Sequence, residues 1–334
     1  MRGVTRQVFQ TTARPIDLGA AATSVHWIGE EALFALGDGR ILVAPREGDT
    51  RSIQVHDGAI LCTTPHPDKP ALLTGGDDGK LNVVGADGAI APLLEHRKWI
   101  DHVVASKASG LIVAGVGKEA IVLREGREAH RFTYPTTIGG LALDGKGRRL
   151  AATHYGGATV RYALMADDKG TVLSWAGSHL GVTISPDGDY IMTAMQENSL
   201  HGWRMPEKTD LRMDGYPAKT KSFSWDKRGR WLATSGANSA IVWPFVGKLG
   251  PQGKPPMQPG EREALVTIVA FHPSEEVLAI GYSDGVALCV RFSDLVGVQL
   301  SEPGGGAVSA LAWSADGKHI AIGDEAGRGA IIDT

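Results

Sequence analysis

The feature that most constrains this chain is a period. A turn residue closes a short apolar hairpin at Gly39, Gly79, Lys118, Gly157, Asn198, Asn238, Gly285 and Gly327, with successive spacings of 40, 39, 39, 41, 40, 47 and 42 residues. The flanking runs, such as "LLTG" before Gly79 and "VALCV" after Gly285, are rich in Val, Ile and Leu and too short for helices. Asp-Gly and Gly-Gly pairs at the turn suit a tight hairpin whose central residues need positive φ. A 40-residue unit of this kind cannot bury its apolar faces alone and must stack on copies of itself. Eight such repeats account for essentially the whole chain, so residues 1–334 read as one repetitive domain, and no stretch reads as an amphipathic helix.

Each repeat carries a further strand before the next one begins. Candidates are Ser52–Val55, Pro92–Leu94, His130–Tyr134, Val172–Trp175, Leu211–Met213 and Val298–Ser301. Four short strands per repeat predict an all-β fold, a β-propeller of eight four-stranded blades, with seven blades plus a divergent hairpin as the alternative. Trp27, Trp225 and Trp313 end the first strand of their repeats, and Phe271 takes that place in a fourth. Equivalent aromatics at equivalent positions predict one repeated packing site. The last repeat lacks an outer strand, while "ARPIDLGA" at Ala13–Ala20 precedes the first repeat unassigned. Residues 1–20 are therefore expected to supply that strand through Pro15–Leu18, closing the last blade and covering its edge.

The repeats resemble WD40 repeats. The resemblance rests on "VTISPDGDYIMTA" from Val182 and "ALAWSADGKHIAIG" from Ala310, and on closing tryptophans at Trp203 and Trp243. A His stands near the family's Gly-His position at His56, His96, His130 and His179. The resemblance implies a hydrogen-bonded set, for which His56, Thr74 and Asp78 supply three members while Val84 replaces the Trp. It also implies a non-catalytic scaffold that binds a protein or peptide on a propeller face or on rim loops.

The residues read for chemistry point the same way. Asp38, Asp78, Asp187, Asp284 and Asp316 each precede a Gly and recur with the repeat, which marks them as turn residues. No histidine pair has metal-ligand spacing, so neither a metal nor a cofactor is expected. "AGVGKEA" at Ala114–Ala120 fails as a phosphate loop, with Ile112 and Glu119 where a Gly and a Ser or Thr are needed. Cys62 and Cys289 fall in different repeats, which predicts free, inert thiols and a reducing, cytoplasmic setting.

Two loops have the composition of contact surfaces. In "EHRKWIDH", Trp99 is flanked by Arg97, Lys98 and Asp101; the competing reading tucks Trp99 between blades. In "KLGPQGKPPMQPGERE", four prolines disfavour a regular strand, and Lys254, Pro255 and Pro256 are candidates for a partner-binding ridge. The competing reading there is a passive linker. The outer strand of the sixth repeat is expected to be short, irregular or absent. A net charge of −3 gives no electrostatic footprint for nucleic acid or an anionic membrane, and no apolar run reaches bilayer length. The chain is expected to be a monomer and not an enzyme. The alternative is an enzyme or a small-ligand or metal binder that uses a central channel.

Overall fold

The computed structural model describes residues 12–205, 207–247 and 249–334. They are all-β, and the sheets are antiparallel meanders in which consecutive strands pair. The second repeat is typical, with strands Ile60–Pro65, Ala71–Gly76, Lys80–Gly85 and Ile90–Glu95 side by side in chain order. Gly79 sits at φ 77° in its hairpin turn, and a side chain there would collide with the His96 carbonyl. This is why the turn demands Gly. The same left-handed geometry falls on Gly117 in the third repeat and Gly236 in the sixth, slightly ahead of the expected Lys118 and Asn238.

All eight repeats are present, but among the described residues they form seven sheets. The fold is a β-propeller with seven blades by that count, which was the alternative in the sequence reading. The expectation of eight separate blades is corrected in one place. Strand Arg149–Tyr162 carries two strands of the fourth repeat, its register merely shifting between Tyr155 and Gly157. Strand Thr171–Ile184 then runs from the end of the fourth repeat into the start of the fifth. The two repeats thereby merge into one six-stranded sheet. Gly156 and Gly157, both at positive φ, reverse the chain inside the first of these elements, so that the Ala163 amide donates back to the Arg148 carbonyl at 2.8 Å.

Packing divides the chain into two compact units. Of the described residues, one unit comprises those within 35–44 and 49–215; the other comprises those within 12–34, 45–48 and 216–334. In the first, apolar layers lie between successive repeats. Leu73, Leu81, Ile100 and Val103 join the second repeat to the third, and Val122, Phe132, Leu141 and Leu150 join the third to the fourth. In the other unit, Val242, Val269 and Ile280 join the sixth repeat to the seventh, and Ala279, Val308 and Ile320 join the seventh to the eighth. The core is this series of layers, each made by two repeats, which explains why no single repeat stands alone.

The repeated aromatic site exists. The Trp313 indole donates to the Ala270 carbonyl at 3.1 Å, and the Trp27 indole donates to the Ala312 carbonyl at 3.0 Å. Each donor thus reaches back to the strand that precedes it around the fold. The last sheet also takes its outer strand from the N-terminal region. Ala13–Asp17 pairs antiparallel with Arg328–Asp333, from Ala13 opposite Ile332 to Asp17 opposite Arg328. Ile16 and Leu18 are buried there; residues 1–11 lie outside the described residues. The sixth repeat has three strands, Phe223–Trp225, Trp231–Thr234 and Ile241–Pro244, and a single bridge from Val242 to Met257 in place of the fourth. Prolines remove the ladder donors that a full strand would need.

Candidate interaction surface

In a meander, the connection to the next repeat leaves from the same end as the turn between the second and third strands. In the unit spanning 49–215 this end carries the loop 96–101. The loop is pinned to the neighbouring turn: the His96 amide donates to the Gly79 carbonyl at 2.8 Å and the Ile100 amide to the Gly76 carbonyl at 3.1 Å. The Lys98 amide donates to His96 Nδ1 at 3.0 Å, which tightens the loop. Ile100 is fully buried in the layer between the second and third repeats. With Ile100 anchored inward, Trp99 is turned out and is 63% exposed. The reading that tucks Trp99 between blades does not hold. Arg97 and Lys98 beside it are exposed, and Asp101 is half-buried with Oδ1 unpartnered.

A second aromatic at this end went unread in the sequence. Tyr155 is 68% exposed, and its amide donates to Thr136 Oγ1 at 3.0 Å. Its signal was present: it occupies the turn between the second and third strands, where other repeats place Gly or Asp. Both aromatics stand on backbone tied to rigid sheet, as recognition loops commonly do.

The turn beneath is held by side chains. His56 Nδ1 meets Asp78 Oδ1 at 2.9 Å, and its Nε2 meets Thr74 Oγ1 at 2.9 Å. Burial pushes the Asp78 carboxyl up, but hydrogen bonds from His56 and the Lys80 and Asp57 amides win and lower its pKa. The three-membered set implied by the resemblance is intact, with Val84 in the place of its Trp. A variant occurs in the other unit, where the Trp243 indole donates to Tyr216 Oη at 2.7 Å and Tyr216 meets Thr234 Oγ1 at 2.7 Å. Tyr216 there does the work of the histidine. The recurrent aspartates serve their turns, as when Asp316 accepts from Ser314 Oγ at 2.6 Å and from the Lys318 amide at 3.1 Å.

The proline-rich loop is arranged differently. Lys254 Nζ donates to the carbonyls of Gly250, at 2.9 Å, and Val246, which folds the side chain back on its own loop. Pro251 and Pro259 are buried, Pro256 is half-buried and Pro255 is exposed. Lys248 lies outside the described residues. The loop covers the open side of the sixth repeat through the Val242–Met257 bridge.

Reactive groups are few. Burial pushes both the Cys62 and the Cys289 thiols up to about 12, and neither is in a disulfide. Among the described residues, no three His, Cys, Asp or Glu side chains are placed to hold a metal ion. No helix of the described residues is long and apolar enough to cross a membrane.

Residues 49–84 match the family model of the WD domain, G-beta repeat. The match begins ahead of the first repeat's outer strand and ends in the third strand of the second, and it contains the whole His56–Thr74–Asp78 set. One repeat of this β-propeller is thus of the WD40 type. The propeller is similar in fold to a solved structure, the computationally designed Ika8 protein, with a TM-score of 0.76 and 15% identity over 94% of this chain and 96% of that one. At such identity the likeness concerns the fold alone. No curated protein matches the sequence.

Proposed function

We propose that this WD40-type propeller is a non-catalytic scaffold that binds a protein or peptide partner through the loop end of residues 49–215, with Trp99 as the anchor. The observation that carries the reading is the exposure of Trp99 on a loop whose neighbour Ile100 is locked into the core. A large aromatic held out in water on a rigid backbone loses little conformational freedom on binding, and Trp beside Arg is the composition of a hot spot. Arg97 and Lys98 flank it, and Tyr155 is a separate exposed aromatic at the same end of the sheets. Of the proline-rich loop, Pro255 is the contact candidate, since Lys254 is engaged internally. A monomer in a reducing cytoplasm completes the reading, in keeping with two unpaired thiols.

The second reading is a small-ligand binder, favoured by a cleft of about 460 Å³ between the seventh and eighth repeats. Trp313, His272 and Cys289 wall it, and Glu275 and Lys318 stand at its mouth. Affinity purification from the native host separates the two. Wild type is expected to retain a partner that Trp99→Ala loses, with a form lacking residues 250–260 reporting on the second loop. If wild type retains no partner, and the purified protein binds a metabolite or metal stoichiometrically, the scaffold reading is overturned.

A further inference from the structure

His201 lies where the fourth and fifth repeats merge, and it is fully buried. Its ring stacks on Trp175 of the fourth repeat at 3.9 Å between centroids, with 16° between the planes. Trp203 meets it edge-on at 4.7 Å, and His179 at 6.4 Å. Neither His201 ring nitrogen has a hydrogen-bond partner among the described residues. Protonation would create a second N–H, and a charge, with no acceptor in reach. Directly across the ladder from His201 is Arg212, whose guanidinium lies 6.0 Å from the Trp175 ring. A charged His201 would thus set two cations against one indole.

His179, one repeat-joint residue away, is built differently. The Thr193 hydroxyl donates to the His201 carbonyl at 2.9 Å, so His179 Nδ1–H donates to Thr193 Oγ1 at 2.8 Å. Its Nε2 faces the Trp175 carbonyl at 3.2 Å, an acceptor for a second proton. Burial lowers the His179 pKa as well, but a charged His179 has an acceptor for each N–H, whereas a charged His201 has none. The other groups facing the pair are Asp210 on the outer strand, His154 on strand Arg149–Tyr162 and Glu197 in the preceding turn. Of these, Asp210 and Glu197 favour the charged rings, and His154 opposes charge on His179.

We propose that this seam is an acid-released joint: protonation of His201 breaks its stack on Trp175 and parts the fourth and fifth repeats, while other repeats keep their packing. Burial pulls the stacked imidazole down to about 4 from 6.5. A base whose pKa is depressed in the closed form favours opening as pH falls below 6.5, and the penalty is complete near 4. The opening constant of the joint therefore rises about 20-fold between pH 7 and pH 5.

The test is amide hydrogen exchange read by mass spectrometry at pH 7 and pH 5, corrected for the intrinsic pH dependence of exchange. In wild type, segments 171–184 and 197–213 are expected to lose about 20-fold in protection, while 266–334 changes by less than about threefold. His201→Leu, which keeps the bulk and removes the larger titration, is expected to remove most of the difference, leaving the smaller part that the buried His179 contributes. Unchanged protection at the seam, uniform loss along the chain, or an equal loss in His201→Leu each overturns the proposal. Should the Leu variant fail to fold, the wild-type comparison of the two regions decides.

Discussion

The Trp243 indole donates a hydrogen bond to the Tyr216 hydroxyl at 2.7 Å, and that hydroxyl in turn meets Thr234 at 2.7 Å. A phenol thus ties together the closing Trp and a second-strand Thr, the role an imidazole plays toward Thr74 in the second repeat. Burial pushes the Tyr216 phenol up to about 12, so it stays protonated at all ordinary pH. Tyr216→Phe removes one oxygen and leaves the N–H of the half-buried Trp243 indole unpaired, so it is expected to cost about 1–3 kcal/mol. Denaturant unfolding measures this, and a double-mutant cycle with Thr234→Val isolates the coupling. An unchanged midpoint for Tyr216→Phe would show that the network carries no stability.

The N-terminal strand is expected to act as a clasp. Removing residues 1–20 deletes the pairing of Ala13–Asp17 with Arg328–Asp333 and the buried side chains of Ile16 and Leu18. Burying Leu18 alone is worth about 2 kcal/mol, and the bared edge invites association with other chains. The truncated protein should melt earlier as a whole, with light scattering rising first. An unaltered melting temperature sinks the clasp.

Trp99 and Trp203 make a contrasting pair. Trp99 is 63% exposed and Trp203 is 3% exposed. Trp99→Ala should leave unfolding within about 0.5 kcal/mol of wild type, whereas Trp203→Ala should cost about 3–5 kcal/mol. Partner retention should follow Trp99 and not the stability ranking. A destabilised Trp99→Ala would mean that the side chain supports the fold.

Both thiols should resist alkylation in the folded protein. Burial is the main cause that holds Cys62 and Cys289 at about 12, so the thiolate is scarce at pH 8. Intact-mass measurement with iodoacetamide is expected to show no adduct in buffer and two in denaturant. Rapid native labelling of either would contradict the burial described above.

Gly317 offers a test of the joint between the seventh and eighth repeats. It sits at φ 74°, its carbonyl accepts from His272 Nε2 at 3.0 Å, and a side chain there would collide with that nitrogen. Gly317→Ala combines left-handed strain with loss of the contact, and should cost about 2 kcal/mol or more in denaturant unfolding. A neutral result would show that the turn can move without cost.

The period of the turns was legible because it is local chemistry: Gly and Asn mark positive φ, and short Val-, Ile- and Leu-rich runs mark strands. It placed all eight repeats, the repeated Trp27 and Trp313 sites, and an N-terminal outer strand, expected at Pro15–Leu18 and found at Ala13–Asp17. Whether two repeats share a sheet was not legible. That depends on strand Thr171–Ile184 staying extended from one repeat into the next, with Gly177 at φ 122° along it. The burial of His201 without a partner, the substitution of Tyr216 for a histidine and the outward set of Trp99 were equally hidden. Each is decided by side chains and backbone from strands far apart in the chain. Backbone preferences written residue by residue fix the repeat and its strands. Packing between repeats sets which aromatic meets water and which imidazole is left without an acceptor, and that packing joins residues far apart in the chain.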